Sequence, residues 1–284
     1  MQVGLIGIGL VGTAIAERLL AADYSVVGYD IDVTAAARLA KLGGHPRESA
    51  ATVVGQCDTV LLSLPTSDDI LRVLAACAGA IHAGQLFIDT TTGSADDAVR
   101  AGELCESRGA SYVEATILGS SELVRTAAAL AMLGGDDREL TRAEAVIGCF
   151  AGKVVRVGPL SAASRMKLAV NLVLGLNRAA LAEGLAFAQT IGLDPRLALE
   201  VLRAGAAYSR VMDAKGEKML ARDFSPEARL AQHHKDVRLI AAEAARCGLK
   251  LPLTEAHDRL LEAAERAGHA ASDNSAVIAA YDRP

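Results

Sequence analysis

The sequence predicts an α/β protein in its first half, a doubly wound parallel sheet, followed by an all-α second half. Three observations carry this. Short apolar runs alternate with helix-length segments from residue 2 to about residue 157, the rhythm of βαβ units. No strand-like run follows Val157. Hydrophobic residues make up 51% of the 284 and charged residues 22%, enough apolar material for two ordinary domains and too little charge for extensive disorder.

Taken in order, Gln2–Ile6 is an apolar run suited to a buried parallel strand. A helix follows the turn Gly7–Gly12 and reaches about Ala22. Ser25–Tyr29 is the second strand, ending at Asp30, and Val33–Leu42 the second helix. Thr59–Ser63 is a strand closed by Leu64-Pro65, and a helix starts near Asp68 with Thr66 or Ser67 as its N-cap. Leu86–Asp89 is a strand and Ser94–Arg108 a helix. Ser111–Glu114, Ala129–Leu133 and Val154–Val157 complete the strands. A long helical run begins near Ser161 and ends about Thr190, where Gly192 and Pro195 break it. Helices over Pro195–Ala204, Ser209–Leu220, Ala228–Cys247 and Leu253–Ala267, and one from about Asn274, fill the rest. The expected domains are residues 1–160 and 161–284, joined by the long helix.

Composition removes several classes of function. A net charge of −5, no Trp and 3% aromatic residues give neither the electrostatic attraction nor the stacking surface that nucleic acid or anionic lipid requires. The apolar stretch from about Leu168 to Ala188 is interrupted by Asn171, Asn177, Arg178 and Glu183, so it reads as a core helix and not a membrane span. The N-terminus lacks the charged and apolar regions of a secretory signal. Five cysteines, an odd number with no CxxC pair, suggest neither a disulfide framework nor a zinc site. A reducing cytoplasm is the expected location.

Gly7-x-Gly9-x-x-Gly12 sits between a strand and a helix, the context that turns a glycine pattern into a Rossmann dinucleotide fingerprint. Gly7 permits the tight turn, Gly9 lets a pyrophosphate approach the backbone, and Gly12 lets helix and strand pack closely. Gly7, Ile8, Gly9, Leu10, Val11 and Gly12 are therefore cofactor candidates, facing phosphates with helix N-terminal N–H groups. Asp30 closes the second strand, where an acid binds the ribose hydroxyls of NAD and repels the 2′-phosphate of NADP. Ile31 follows it and no Arg stands in the first turn of that loop, so NAD is expected and NADP is less favoured.

With these motifs in place the chain resembles the β-hydroxyacid dehydrogenases, among them 3-hydroxyisobutyrate dehydrogenase and tartronate semialdehyde reductase. The resemblance covers nearly the whole chain. Leu64-Pro65-Thr66-Ser67 is similar to the family's loop along the cofactor, with Asp69 in the helix behind it. Asp89-Thr90-Thr91-Thr92 is similar to the segment near the nicotinamide, although Gly93-Ser94-Ala95 stands where a proline often follows. Gly158 to Asn171 resembles the signature containing the catalytic lysine, and Asp223-Phe224 with Lys235-Asp236 resembles a pair in the helical domain. The resemblance implies cofactor contacts at Leu64, Pro65, Asp69, Thr92 and Lys235, catalytic roles for Lys167 and Asn171, and a homodimer or homotetramer.

Lys167 and Asn171 also make chemical sense by themselves. Four residues apart on a helix, they share a face. A lysine withdrawn from water has its charged form disfavoured, which suits proton transfer at an alcohol or carbonyl oxygen, and Asn171 can orient it or the substrate. The expected activity is hydride exchange between the cofactor and a small hydroxy acid or its semialdehyde, with Lys167 as general acid/base. The substrate segment departs from the family's Ser-Gly-Gly: here it is Leu118-Gly119-Ser120, followed by Ser121, with Arg125 available to bind an anionic group bidentately. Lys167 and Asn171 complete the expected substrate contacts. Adjacent His233 and His234 diverge on a helix and make a poor metal site. An imine reductase on the same scaffold, which often lacks the lysine, and a non-catalytic dinucleotide sensor are the alternatives.

Overall fold

The computed structural model describes residues 1–282. The chain divides into two compact units, Met1–Lys167 and Leu168–Pro284.

The first unit contains β1 (Gln2–Ile6), α1 (Leu10–Ala21), β2 (Ser25–Tyr29), α2 (Val33–Lys41), β3 (His45–Pro46), α3 (Ala50–Gln56), β4 (Thr59–Leu62), α4 (Ser67–Ala76), β5 (Leu86–Asp89), α5 (Ala95–Glu106), β6 (Ser111–Leu118), α6 (Ser121–Arg125), β7 (Ala129–Gly134), α7 (Asp137–Ile147) and β8 (Ala151–Gly158). One eight-stranded sheet has the order β3-β2-β1-β4-β5-β6-β7-β8. The order reverses direction at β1/β4, the switch point where dinucleotides bind in open α/β sheets. Strands β1 to β6 pair in parallel, but β7 runs antiparallel to β6 and β8 parallel to β7. The expectation of a parallel sheet therefore needs one correction. Only residues 119–128 join β6 to β7, too few for a parallel crossover, which takes a dozen or more.

Both faces of the sheet are covered, so successive residues of one strand enter different cores. Leu5, Leu61 and Ile88 pack with Ile15, Leu19 and Phe150. Their neighbours Ile6, Leu62 and Phe87 pack with Val53, Ile70 and Leu74 on the other face.

Helix α8 (Ala162–Thr190) starts in the first unit, a little beyond the expected boundary at 160, because β6 holds its first turns. The second unit continues with α9 (Pro195–Ala204), α10 (Arg210–Ala221), α11 (Leu230–Arg246), α12 (Pro252–Ala264), a π-helical turn (Glu265–His269) and a 3-10 helix (Asn274–Tyr281). By length and composition alone α8 could cross a bilayer. Its Leu181, Ala182 and Leu185 instead join Leu199, Val211, Met219 and Leu261 in the core of this unit.

Candidate active site

Because β1, β4, β5 and β6 are parallel, the loops leaving their carboxyl ends meet at one edge of the sheet. Those loops hold Gly7–Gly12, Leu64–Thr66, Thr90–Gly93 and Leu118–Ser120.

The glycines have separate reasons. Gly7 has φ +93°, and a Cβ there would lie 2.2 Å from the Ser63 carbonyl oxygen. A Cβ on Gly12 would lie 2.0 Å from the Gly7 oxygen, so the start of α1 and the end of β1 touch only because Gly12 lacks one. A Cβ on Gly9 would meet nothing within 4 Å. The space above Gly9 is open, and Gly9 caps α1 without a side chain, which leaves the first N–H groups of the helix to an incoming anion. These residues fit a dinucleotide pyrophosphate. Ile8, buried, anchors the turn, while Leu10 is exposed beside it.

Asp30 is held ready at the end of β2. Its Oδ2 accepts from the Ile8 N–H at 2.6 Å and its Oδ1 from the Asp32 N–H at 2.8 Å. Each oxygen keeps a lone pair for a ribose hydroxyl. Arg38, in the last turn of α2, donates from Nη2 to the Ile8 carbonyl at 3.1 Å. Arg38 lies a full helix beyond the turn it reaches, outside the first turn of the loop after Asp30.

The Leu64–Thr66 and Thr90–Gly93 loops are fastened to each other. Leu64 N–H donates to Thr91 Oγ1 at 3.1 Å, and Ser94 N–H to Ser67 Oγ at 3.3 Å. Gly93 leaves room for Ser67, whose Cβ would lie 2.5 Å from a Cβ at 93. Ala95 is the first residue of α5, and the Ser94 side chain caps that helix through the Asp97 N–H. Asp69 is a different matter from the expected cofactor contact. Thr66 Oγ1 accepts from the Asp69 N–H at 3.2 Å and donates to Asp69 Oδ2 at 2.6 Å, a reciprocal cap, and Arg72 takes Oδ1. Asp69 therefore shapes the loop of Leu64 and Pro65. Thr92 stands half-buried at the end of the β5 loop.

Lys167 is 8% exposed, and its Nζ donates to the Ile117 carbonyl at 2.5 Å, at the end of β6. The ammonium position and the Leu118–Ser121 loop are thereby brought together. Gly119 has φ +149°, and Ser120 caps α6 through the Leu123 N–H. Arg125, expected to receive an anionic group, already has carboxylate partners here. Its Nε donates to Glu17 at 2.6 Å and its Nη1 to Glu122 at 3.1 Å, so the guanidinium ties α6 to α1.

Two buried acids lie behind this edge. Asp89 accepts from Tyr112 OH at 2.6 Å and from Thr91 N–H at 2.8 Å; burial outweighs these bonds and pushes it up to about 6. Its register partner Glu114 is raised by burial as well, against hydrogen bonds from Ser164 and Ser161.

In the helical unit Asn171 Nδ2 donates to Asp236 Oδ2 at 2.9 Å, and Lys235 Nζ lies 3.1 Å from Asp236 Oδ1. One carboxylate thus orients both an expected catalytic residue and an expected cofactor residue.

The profile of the NAD-binding domain of 6-phosphogluconate dehydrogenase matches residues 2–158. That of the NAD-binding domain of NADP-dependent 3-hydroxyisobutyrate dehydrogenase matches residues 161–281. The chain belongs to the β-hydroxyacid dehydrogenase family. Two relatives illustrate how far this family likeness extends. The 2-hydroxy-3-oxopropionate reductase of Escherichia coli K12 is 28% identical, over 99% of this chain and 97% of the relative. The L-threonate dehydrogenase of Cupriavidus necator is 29% identical, over 98% and 95%. Among solved structures, the Mycobacterium tuberculosis 3-hydroxyisobutyrate dehydrogenase with L-serine superposes with a TM-score of 0.90 at 28% identity, covering 99% of both chains. As a β-hydroxyacid dehydrogenase the chain is an NAD(P)-binding oxidoreductase, and Gly7–Gly12 lie within the matched cofactor domain.

Proposed function

We propose that this enzyme exchanges a hydride between NAD and a small hydroxy acid or its semialdehyde, with Lys167 moving the proton. The observation that carries the reading is the buried Lys167 Nζ at the end of β6, on the sheet edge that also holds the fingerprint. The bound nicotinamide would supply the hydride acceptor or donor. Neutral Lys167 takes the hydroxyl proton in the oxidative direction; as ammonium it donates that proton back and stabilises the developing oxyanion. Asn171, on the same helical face, orients the lysine or the substrate. Leu118, Gly119, Ser120 and Ser121 line the substrate loop. The preset Asp30 supports NAD over NADP. The names of the relatives point to small acids bearing hydroxyl or oxo groups, which is the substrate class proposed here.

The test is initial rates on 3-hydroxyisobutyrate, glycerate, tartronate semialdehyde, succinic semialdehyde and sulfonated three-carbon analogues, each with NAD(H) and NADP(H). Lys167→Ala is expected to lower kcat by about 100- to 10,000-fold while still binding NADH. Wild-type turnover in that variant would remove Lys167 from the mechanism. The retained lysine favours this chemistry over imine reduction.

The protein is further proposed to act as a homo-oligomer in the reducing cytoplasm. Val173, Ala180 and Phe187 recur every seven residues along the exposed side of α8, and Ile191, Leu193, Leu197 and Val201 extend the apolar surface. A second copy would cover them. Light scattering should show Phe187→Glu as a smaller particle than wild type; equal masses would direct the search to another surface. All five cysteines are free, as a reducing compartment would keep them.

A further inference from the structure

Helix α8 starts in an unusual way. The residue before it, Ser161, is left-handed at φ +80°, a conformation that strains a non-glycine residue and persists only when its surroundings enforce it. The enforcement comes from the sheet. Glu114 in β6 is 1% exposed, and its Oε2 accepts from the Ser161 N–H at 2.6 Å. Its Oε1 accepts from the Ser164 N–H at 3.0 Å and from the Ser164 hydroxyl. A carboxylate from another element therefore serves as the N-cap of α8 and sits at the favourable end of the helix dipole.

The same strand grips the helix twice more. Thr116 Oγ1 donates to the Ala163 carbonyl at 3.3 Å, and the Ile117 carbonyl receives Lys167 Nζ. Gly134, paired with Glu114 across β6 and β7, leaves room for the carboxylate: a Cβ there would lie 2.7 Å from Glu114 Oε2 and 3.1 Å from the Ala163 nitrogen. Ser164 and Lys167 are three residues apart and share a helical face.

We infer that Glu114 is a positioning residue for the reaction: by capping α8 from β6 it sets the register between Lys167 and the Leu118–Ser121 loop. The inference rests on the proposed role of Lys167 for its catalytic consequence, but the positioning itself is independent of turnover. Glutamine is nearly isosteric and must turn an NH2 group toward one of the N–H donors that the carboxylate satisfies, so the cap is broken without emptying the site.

The experiment compares wild type with Glu114→Gln, Glu114→Asp and the double variant Glu114→Gln/Ser164→Ala. Modification of each lysine by trinitrobenzenesulfonate is followed by mass spectrometry, with exposed Lys153 as internal reference. Steady-state rates are measured on 3-hydroxyisobutyrate and tartronate semialdehyde, and NADH binding by fluorescence. In Glu114→Gln, modification of Lys167 should rise about tenfold relative to Lys153. On an acid that turns over, kcat should fall about 100-fold, the size of effect a displacement near 1 Å can have. KM for NAD and the NADH Kd should hold. Glu114→Asp should recover part of both effects, and the double variant should be no worse than Glu114→Gln, because both act through one cap. Unchanged Lys167 labelling, or equal loss of NADH binding and kcat, overturns the inference. Raised labelling together with an active Lys167→Ala would uphold the positioning and instead refute the catalytic role of the lysine. If Glu114→Gln fails to fold by circular dichroism, Gly134→Ala, which crowds the same carboxylate, is read in its place.

Discussion

Asp89 in the sheet unit and Asp273 in the helical unit are both buried carboxyls, yet they are shifted in opposite directions. Burial raises both. At Asp89 the bonds from Tyr112 and Thr91 offset only part of the penalty, and the group stands at about 6. At Asp273 burial is outweighed by Lys215, 3.0 Å away, and by the N–H groups of Ser275 and Ala228, and the group is held at about 2. The helical unit buries cations beside its acids: Lys215, and Arg178, whose desolvation lowers it to about 10. The sheet unit sets its two buried acids, Asp89 and Glu114, against N–H groups and hydroxyls. The difference teaches that burial alone does not set the ionisation of a group; the supply of compensating charge does.

Breaking the comparison at Asp273 should have the largest effect. Asp273→Ala leaves Lys215 buried with only the half-exposed Glu227 at 2.9 Å, and should destabilise the helical unit by about 3–5 kcal/mol in urea unfolding. A loss below about 1 kcal/mol would mean that Glu227 alone compensates the lysine.

A smaller effect sharpens the contrast through pH. The folded value of Asp89 lies above its ordinary 3.8, so its contribution is fully present below that pH and is lost as pH rises through about 6. The folded value of Asp273 lies below 3.8, so its contribution is present above that pH and is lost as pH falls through about 2. Hydrogen exchange of the sheet strands, corrected for intrinsic rates, should therefore report stability falling between pH 4 and 6, by up to about 3 kcal/mol. Asp89→Asn should flatten that slope. A slope unchanged by the substitution would assign it to another group.

Much of this architecture could be read from the residues. Strands at Gln2–Ile6, Ser25–Tyr29 and Leu86–Asp89 have the bounds the apolar runs imply, and the fingerprint stands where its glycines place it. The antiparallel direction of β7 is not legible, because the strand expected over Ser111–Glu114 runs on through Thr116 to Leu118 and leaves only residues 119–128 for the link. The Glu114 and Thr116 side chains are buried and grip α8. Helix α7 carries its own signal, an Asp136 cap followed by apolar residues at 140, 143, 146 and 147. Short β3, α3 and α6 carry too few residues for a period to show. At the candidate site, the positions of the fingerprint glycines, Asp30 and Lys167 were legible because each motif fixes its own local geometry. The fates of Asp69 and Arg125 were not, since a charge on a surface helix does not announce which neighbour will take it. Glu114 and Arg38 act on elements distant in sequence, and no spacing rule reaches them.

The order of the sheet has a consequence for the behaviour of the protein in solution. An open sheet ends in two rows of unpaired backbone groups, a template for adding strands from other molecules. Here one end strand, β3, is two residues long and contains Pro46, which has no N–H to offer. The other, β8, carries Lys153 and Arg156, and Arg156 is braced by Glu144 at 2.8 Å. Shortness and proline guard one rim and fixed charge the other, so fibre-like growth by strand addition is discouraged at both ends. The homo-oligomer proposed above would then form through helical surfaces, where symmetry can close it at a finite number of copies.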